Sequence, residues 1–299
     1  MKNKIARPPI RSLLFTPGNH PRKVEKVFDS EADSIILDLE DAVAKTEKIV
    51  TRDTVVKALL KQSKKINAPA GYVRVNALDT EYCLGDLKTV IGPWLTGIVV
   101  PKIESESEIH TIEWCVSQIE HEKGLQSGCI DILPIIETAK GLSSIDLIAQ
   151  AAAKTRISRI TFGAADLTAD MRMEWSSSEA ELDYVRSSIA LASVSAGLNH
   201  PIDTVHIRLD DLDGFSLITN RSRGMGFFGK LCIHPIQVSL ANQLFTPTAD
   251  EVKKARRIIS AFEKAEKKGS AAIQVDGKFV DYPVVEAAKR TLELDKLVT

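Results

Sequence analysis

Charge imbalance is the first thing this sequence lacks. Its 39 Lys and Arg against 40 Asp and Glu leave a formal net charge of −1 over 299 residues. That gives no electrostatic footprint for nucleic acid or for an anionic membrane surface. No apolar run approaches the length of a bilayer span. The N-terminal MKNKIARPPIRS is basic but has no apolar segment of the kind a signal peptide carries. Cys83, Cys115, Cys129 and Cys232 are scattered with no CxxC pair, so they are expected to be reduced packing residues of a cytoplasmic protein. The six histidines are equally dispersed, which argues against zinc. No G-x-S-x-G elbow occurs. Gly224–Gly229, GMGFFG, matches G-x-G-x-x-G in form only. A helical pattern precedes it and a strand-like run follows, the reverse of what a dinucleotide site needs.

What is present is a rhythm of short β-rich runs alternating with helical patterns. The runs are Ser12–Thr16, Ser34–Leu39, Tyr72–Asn76, Gly97–Val100, Ile132–Ile136, Ile160–Gly163, Ile202–Ile207 and Lys230–Ile233. Helices are expected over Pro21–Ser30, Lys45–Lys64, Ser105–Lys123, Ser143–Ala153, Ser178–Ala196, Leu212–Arg223 and Pro235–Leu244. This order implies parallel strands joined by crossover helices, and eight β–α units fit one α/β barrel. Pro134 counts against a central strand unless pairing starts just after it. Residues 1–245 are therefore assigned to the barrel and 246–299 to an appended helix–hairpin–helix. That appendage opens with a Thr248/Glu251 capping box and turns at Asp276-Gly277.

Charges fall at the carboxyl ends of the runs. DILPIIETAKG stops at Glu137, with Thr138 in a helix N-cap position, and FGAAD stops at Asp166. Taken singly, each is most simply a cap or a solvated loop residue. Together they suggest a hard divalent cation, because Mg²⁺ prefers one or two carboxylates plus water and substrate oxygens. Arg74 sits inside YVRVN, where a charge needs a partner. It is either a structural salt bridge to Asp38 or Glu40, or a clamp for a substrate carboxylate. Lys102 and Glu40 lie at the same ends and complete a polar mouth.

The segments RSLLFTPGNHP, DSIILDLEDAV, YVRVN, VVPKIES, LPIIETAKG, FGAADL, GLNHPIDTV, GKLCIHP and VDGKFVDYPVV resemble, in register from about residue 11 to 290, the citrate lyase beta-subunit-like family of malyl-CoA, citramalyl-CoA and citryl-CoA lyases. The resemblance implies a TIM (β/α)8 barrel that binds Mg²⁺ and cleaves a carbon–carbon bond in a 3-hydroxy-acyl-CoA thioester. It implies Glu137 and Asp166 as metal ligands and Arg74 as the holder of the substrate carboxylate. Glu40 and Asp41 match acidic residues near the metal water and the arginine. Asp281 matches an aspartate on a tail that reaches a neighbouring subunit's active site, in a homo-oligomer that is a trimer by resemblance. The plainer reading of Asp281 is a cap for the last helix. Arg208 departs from the family, which commonly carries an acidic residue there. Two other readings stay open: a divalent-metal aldolase acting on free oxo-acids, and a subunit of a larger citrate lyase complex. The acyl substrate and the CoA-contacting residues are not fixed by the sequence.

Overall fold

The computed structural model describes residues 5, 7–66 and 68–298. The chain divides into two compact units, one running through Asn242 and one from Gln243 onward.

In the first unit seven strands form one parallel sheet: β1 (Ser12–Pro17), β2 (Ser34–Asp38), β3 (Ala70–Arg74), β4 (Gly97–Val100), β5 (Asp131–Ile136), β6 (Thr161–Phe162) and β7 (Lys230–Cys232). Their order is β6-β5-β4-β3-β2-β1-β7. Helices α1 (Pro21–Lys26), α2 (Lys48–Gln62), α3 (Cys83–Val90), α4 (Glu106–Glu122), α5 (Ala139–Ser143), α6 (Ile145–Ala153), α7 (Ala164–Asp170), α8 (Asp183–Ser195), α9 (Leu212–Gly224) and α10 (Pro235–Phe245) follow the strands in turn.

The strands are buried on both faces, so successive side chains enter two different cores. Leu13, Ile36, Tyr72, Val99, Leu133 and Leu231 pack together on one face. Leu14, Ile35, Leu37, Val73, Ile98 and Ile132 face the helices. Pro134 is tolerated because it pairs with Val100 of β4, while pairing with β6 begins only at Ile135. Ser105 and Glu108 close a capping box at the start of α4, and Thr138 accepts from Gly141 N at the start of α5.

Three local expectations are corrected. The run Ile202–Ile207 is not a strand. Only Ile202 and Asp203 form single parallel bridges, to Thr161 and Lys230 respectively, so pairing still passes from β6 through this segment to β7. The side chains that follow are buried polar groups with partners of their own. Asp203 accepts from Arg186 Nε at 2.9 Å and from Lys230 Nζ at 2.6 Å. Thr204 Oγ1 accepts from Ala164 N at 2.9 Å. Arg186 also donates to Glu179 at 2.5 Å, and these four charged side chains are all fully buried. Ion pairing thus holds this stretch where a ladder would otherwise do so. The second correction is α7, which places Asp166 in the first turn of a helix and not at a strand end. The third is α3, a helix the sequence reading passed over. In GMGFFG the glycines end α9 and shape the loop to β7: Gly226 and Gly229 have positive φ, and a Cβ on Gly229 would overlap the Ile10 carbonyl oxygen.

The second unit comprises α11 (Ala249–Glu266), the hairpin β8 (Ile273–Val275) with β9 (Lys278–Val280), and α12 (Tyr282–Val298). Asp276 and Gly277 both take positive φ, as a two-residue hairpin turn requires. Ala255, Ile258, Phe262, Val280, Val285 and Ala288 form its own small core.

The buried ion network yields a stability test. Replacing Lys230 with Met removes one cation and leaves Asp203 with Arg186 alone. We expect a loss of about 3–5 kcal/mol in chemical denaturation. A loss below ~1 kcal/mol would mean the network contributes little to holding Ile202–Asp203.

Candidate active site

The carboxyl ends of β1, β2, β3, β5 and β6 surround a cavity of about 310 Å³ lined by Phe15, Asp38, Arg74, Glu137, Asp166 and Leu231, among others. Strand geometry delivers the charged groups there. Asp38 is the last residue of β2 and Arg74 the last of β3, and the two are register partners. Glu137 directly follows β5.

Arg74 is the hub. Its Nε and Nη2 donate to the two Asp38 oxygens at 2.7 Å each, and its guanidinium lies over the Phe15 ring at 5.1 Å. Nη1 stands 3.0 Å from Glu40 Oε2, without hydrogen-bonding alignment, and 4.0 Å from Asp41. Burial alone would push Asp38 up, but the Arg74 charge and hydrogen bonds outweigh it and hold this carboxyl below its usual range. Burial likewise opposes the Arg74 charge, and the Asp38 pairing more than offsets it, so the guanidinium stays firmly protonated. The salt bridge weighed for Arg74 is therefore present. One edge of its fork is taken by Asp38, and the Nη1 side faces Glu40 and Asp41.

Lys102 is the second cation. It follows β4 with φ of +53°. Its backbone N–H donates to Glu137 Oε1 at 2.9 Å, and its ammonium donates to Glu40 Oε1 at 2.6 Å. The same ammonium is 3.6 Å from Asp41 and 3.9 Å from Asp166.

Glu137 is the least compensated carboxylate. Burial first, then the Glu40 charge, push it up to about 8, against the opposing pull of Arg74 and Lys102. Glu40 is raised by burial too, with Arg74 and Lys102 working against the shift. A Cβ on residue 163 would overlap Glu137 Oε2, so Gly163 is the cradle that admits this carboxylate. Asp166 lines the same cavity with a partly exposed side chain. Among the described residues no group of three or more His, Cys, Asp or Glu could hold a metal ion by itself. Two carboxylates on one cavity, one of them short of positive charge, suit a hard dication that takes its remaining ligands from water and substrate.

The structure thus gathers Glu40, Asp41, Arg74, Glu137 and Asp166 around one mouth. Asp281 belongs to the second unit. It stands between β9 and α12, half-buried, and accepts a long 3.4 Å bond from Val284 N, the geometry of a weak helix cap. Arg208 donates to the carbonyls of Ser176 and Trp175. The sequence places Lys102 in the polar mouth without a role and offers Asp38 only as a partner for Arg74, while Gly163 carries no expectation. Lys102 offers a signal, a charge two residues past a strand, whereas Gly163 offers none.

Residues 11–235 match the HpcH/HpaI aldolase/citrate lyase family, and the chain belongs to it. It is 35% identical to citrate lyase subunit beta of Leuconostoc mesenteroides, covering 95% of this chain and 92% of that one. It is 32% identical to L-malyl-CoA/beta-methylmalyl-CoA lyase of Cereibacter sphaeroides, covering 94% and 93%. Among solved structures it resembles CitE from Mycobacterium tuberculosis in complex with magnesium, acetoacetate and coenzyme A. That likeness has a TM-score of 0.77 and 27% identity, over 97% of this chain and 99% of the other. No helix among the described residues is long and apolar enough to cross a membrane.

The raised Glu137 sets a pH dependence. Its folded value, about 8, lies above the ordinary 4.5. Its contribution to stability is therefore full below 4.5 and is lost as pH rises through about 8. In chelator-treated protein, the wild type should lose stability relative to Glu137→Gln across that window. Parallel stability–pH curves for the two proteins would show that Glu137 titrates normally.

Proposed function

We propose that this chain is a Mg²⁺-dependent carbon–carbon lyase that splits a 3-hydroxy-acyl-CoA thioester of the malyl, citramalyl or citryl type into an oxo-acid and acetyl-CoA. The observation that carries the reading is the convergence of Glu137, Asp166 and Arg74 on one cavity at the carboxyl ends of a parallel sheet. That is where a (β/α)8 barrel does its chemistry. The Ile202–Asp203 bridges supply an eighth stave and support reading the sheet as such a barrel.

Glu137 and Asp166 would hold the ion. When bound, Mg²⁺ supplies Lewis-acid stabilisation to the substrate's hydroxyl and carboxylate oxygens. Arg74, fixed by Asp38, orients the substrate carboxylate through its Nη1 side. The substrate hydroxyl gives up its proton to Glu40, whose Oε2 has no hydrogen-bond partner, and becomes the carbonyl of the departing oxo-acid. The carbon–carbon bond breaks, and its electron pair passes to the thioester as an enolate. An acid then protonates the enolate carbon, and Asp281 from the tail of a neighbouring subunit is the proposed donor. Its support is a half-buried carboxyl with one long hydrogen bond. A homotrimer working in the cytoplasm completes the proposal.

The 35% identity to citrate lyase beta subunits favours a second reading, a subunit active only within a complex. Assaying the purified chain alone with malyl-, citramalyl- and citryl-CoA and Mg²⁺ separates the two. The lyase reading expects turnover of at least one thioester, abolished in Glu137→Gln and Asp166→Asn. Arg74→Lys should lose on the order of 2–4 kcal/mol of transition-state binding. Inactivity on every thioester sinks the stand-alone reading. Normal turnover by both carboxylate variants at limiting Mg²⁺ sinks the metal assignment.

The tail assignment has its own test. Glu137→Ala and Asp281→Ala should each be inactive alone. Co-expressed, random mixing in a closed ring leaves about a quarter of sites with both groups intact. Activity near that fraction supports sharing between subunits. No recovery in mixed oligomers verified by mass would return Asp281 to a helix cap.

A further inference from the structure

Lys102 occupies a backbone conformation that a residue bearing a side chain seldom adopts, with φ of +53°. Glycine or asparagine would hold that turn with less strain. The turn is needed, because it aims the residue's N–H at Glu137 Oε1, 2.9 Å away. The backbone therefore accounts for the turn but not for a lysine in it. What lysine adds is an ammonium among carboxylates, 2.6 Å from Glu40, 3.6 Å from Asp41 and 3.9 Å from Asp166.

These contacts are unequal. The Glu40 contact is a short charge-assisted hydrogen bond. The Asp166 contact is an ion pair near the outer limit of distance. The side chain is about a third exposed, so it can turn towards solvent. Arg74 cannot act in the same way, because its planar fork is locked on Asp38 by two hydrogen bonds.

We propose that Lys102 is a tethered counter-cation: without a dication its ammonium offsets the repulsion among Glu40, Asp41 and Asp166, and a dication entering at Glu137 and Asp166 displaces its hold on Asp166 while the Glu40 bond persists. This rests on the metal assignment made under Proposed function. The lysine sets the affinity of the site from below. It keeps the metal-free carboxylates together, and it subtracts a unit of positive charge's worth of attraction from the incoming ion.

The test titrates MgCl₂ into the purified, chelator-treated full chain and follows binding by calorimetry and thermal unfolding with and without Mg²⁺. Lys102→Met removes the ammonium and keeps a side chain. Lys102→Gly also removes it but relaxes the left-handed backbone, so it serves should the methionine variant fold poorly. Both variants should bind Mg²⁺ roughly tenfold more tightly than wild type. Both should unfold at a lower temperature without metal and gain a larger rise in Tm from Mg²⁺. Unchanged or weaker affinity in both overturns the proposal. Tightening in the glycine variant alone, with a folded methionine variant unchanged, assigns the effect to the backbone and also overturns it. Glu137→Gln keeps the two claims apart. If it binds Mg²⁺ as well as wild type does, or if wild type binds none, the metal assignment fails and this proposal falls with it. If Glu137→Gln loses binding while both Lys102 variants bind like wild type, the Lys102 proposal fails alone.

Discussion

Like charges held at one end of a parallel sheet are the constraint on which this structure depends. Asp38, Glu137 and Asp166 meet at the cavity of the first unit, and Glu40 and Asp41 stand close by, paired with its cations. In water they would repel weakly, but at a half-dry mouth the repulsion is stronger. Two cations hold them in two different ways. Arg74 neutralises Asp38 through a bidentate pair at the ends of adjacent strands. Lys102 reaches across from β4 to Glu40. Burial first, and then the charge of Glu40, raise the proton affinity of Glu137 by more than the two cations offset.

A second group of buried charges organises the other side of the same unit. Glu179, Arg186, Asp203 and Lys230 pair with one another away from solvent, leaving only Arg186 Nη1 of the guanidinium without a hydrogen bond. The residue after Asp203 then accepts from the first amide of α7, the helix that carries Asp166. Position is thus handed from a buried ion cluster, through one hydroxyl, to a helix whose N-terminal Gly163 has no side chain with which to cap it. The arrangement replaces strand pairing, and it explains why the apolar-looking stretch Ile202–Ile207 yields two bridges and no strand.

Most of this architecture was legible because parallel strands buried on both faces read as short apolar runs. β4 matches its expected bounds, and β2, β5 and β7 lie within a residue of theirs. The site was legible where a charge ended such a run, as at Glu137, or sat inside one, as at Arg74. The misses share a physical cause. Neither α3 nor α7 has a side-chain cap, and Gly85 interrupts the first, so neither announces its start. Thr204 and His206 are fully buried polar residues among apolar neighbours, a pattern that mimics an alternating strand. The Asp38–Arg74 pair could be listed as one option from sequence, but choosing it required the register of β2 on β3. Gly163 is invisible in sequence because its role is to leave room for another side chain.

The two proposed ligands differ sharply in depth. Glu137 is 2% exposed, whereas the Asp166 side chain is 39% exposed. An ion entering from solvent would meet Asp166 while still largely hydrated and would reach Glu137 only by shedding water. Magnesium gives up water reluctantly. Loading would then cross successive barriers, and unloading would retrace them. A site so built would exchange its ion slowly for a given affinity, and its occupancy would follow the sustained supply of magnesium instead of brief fluctuations.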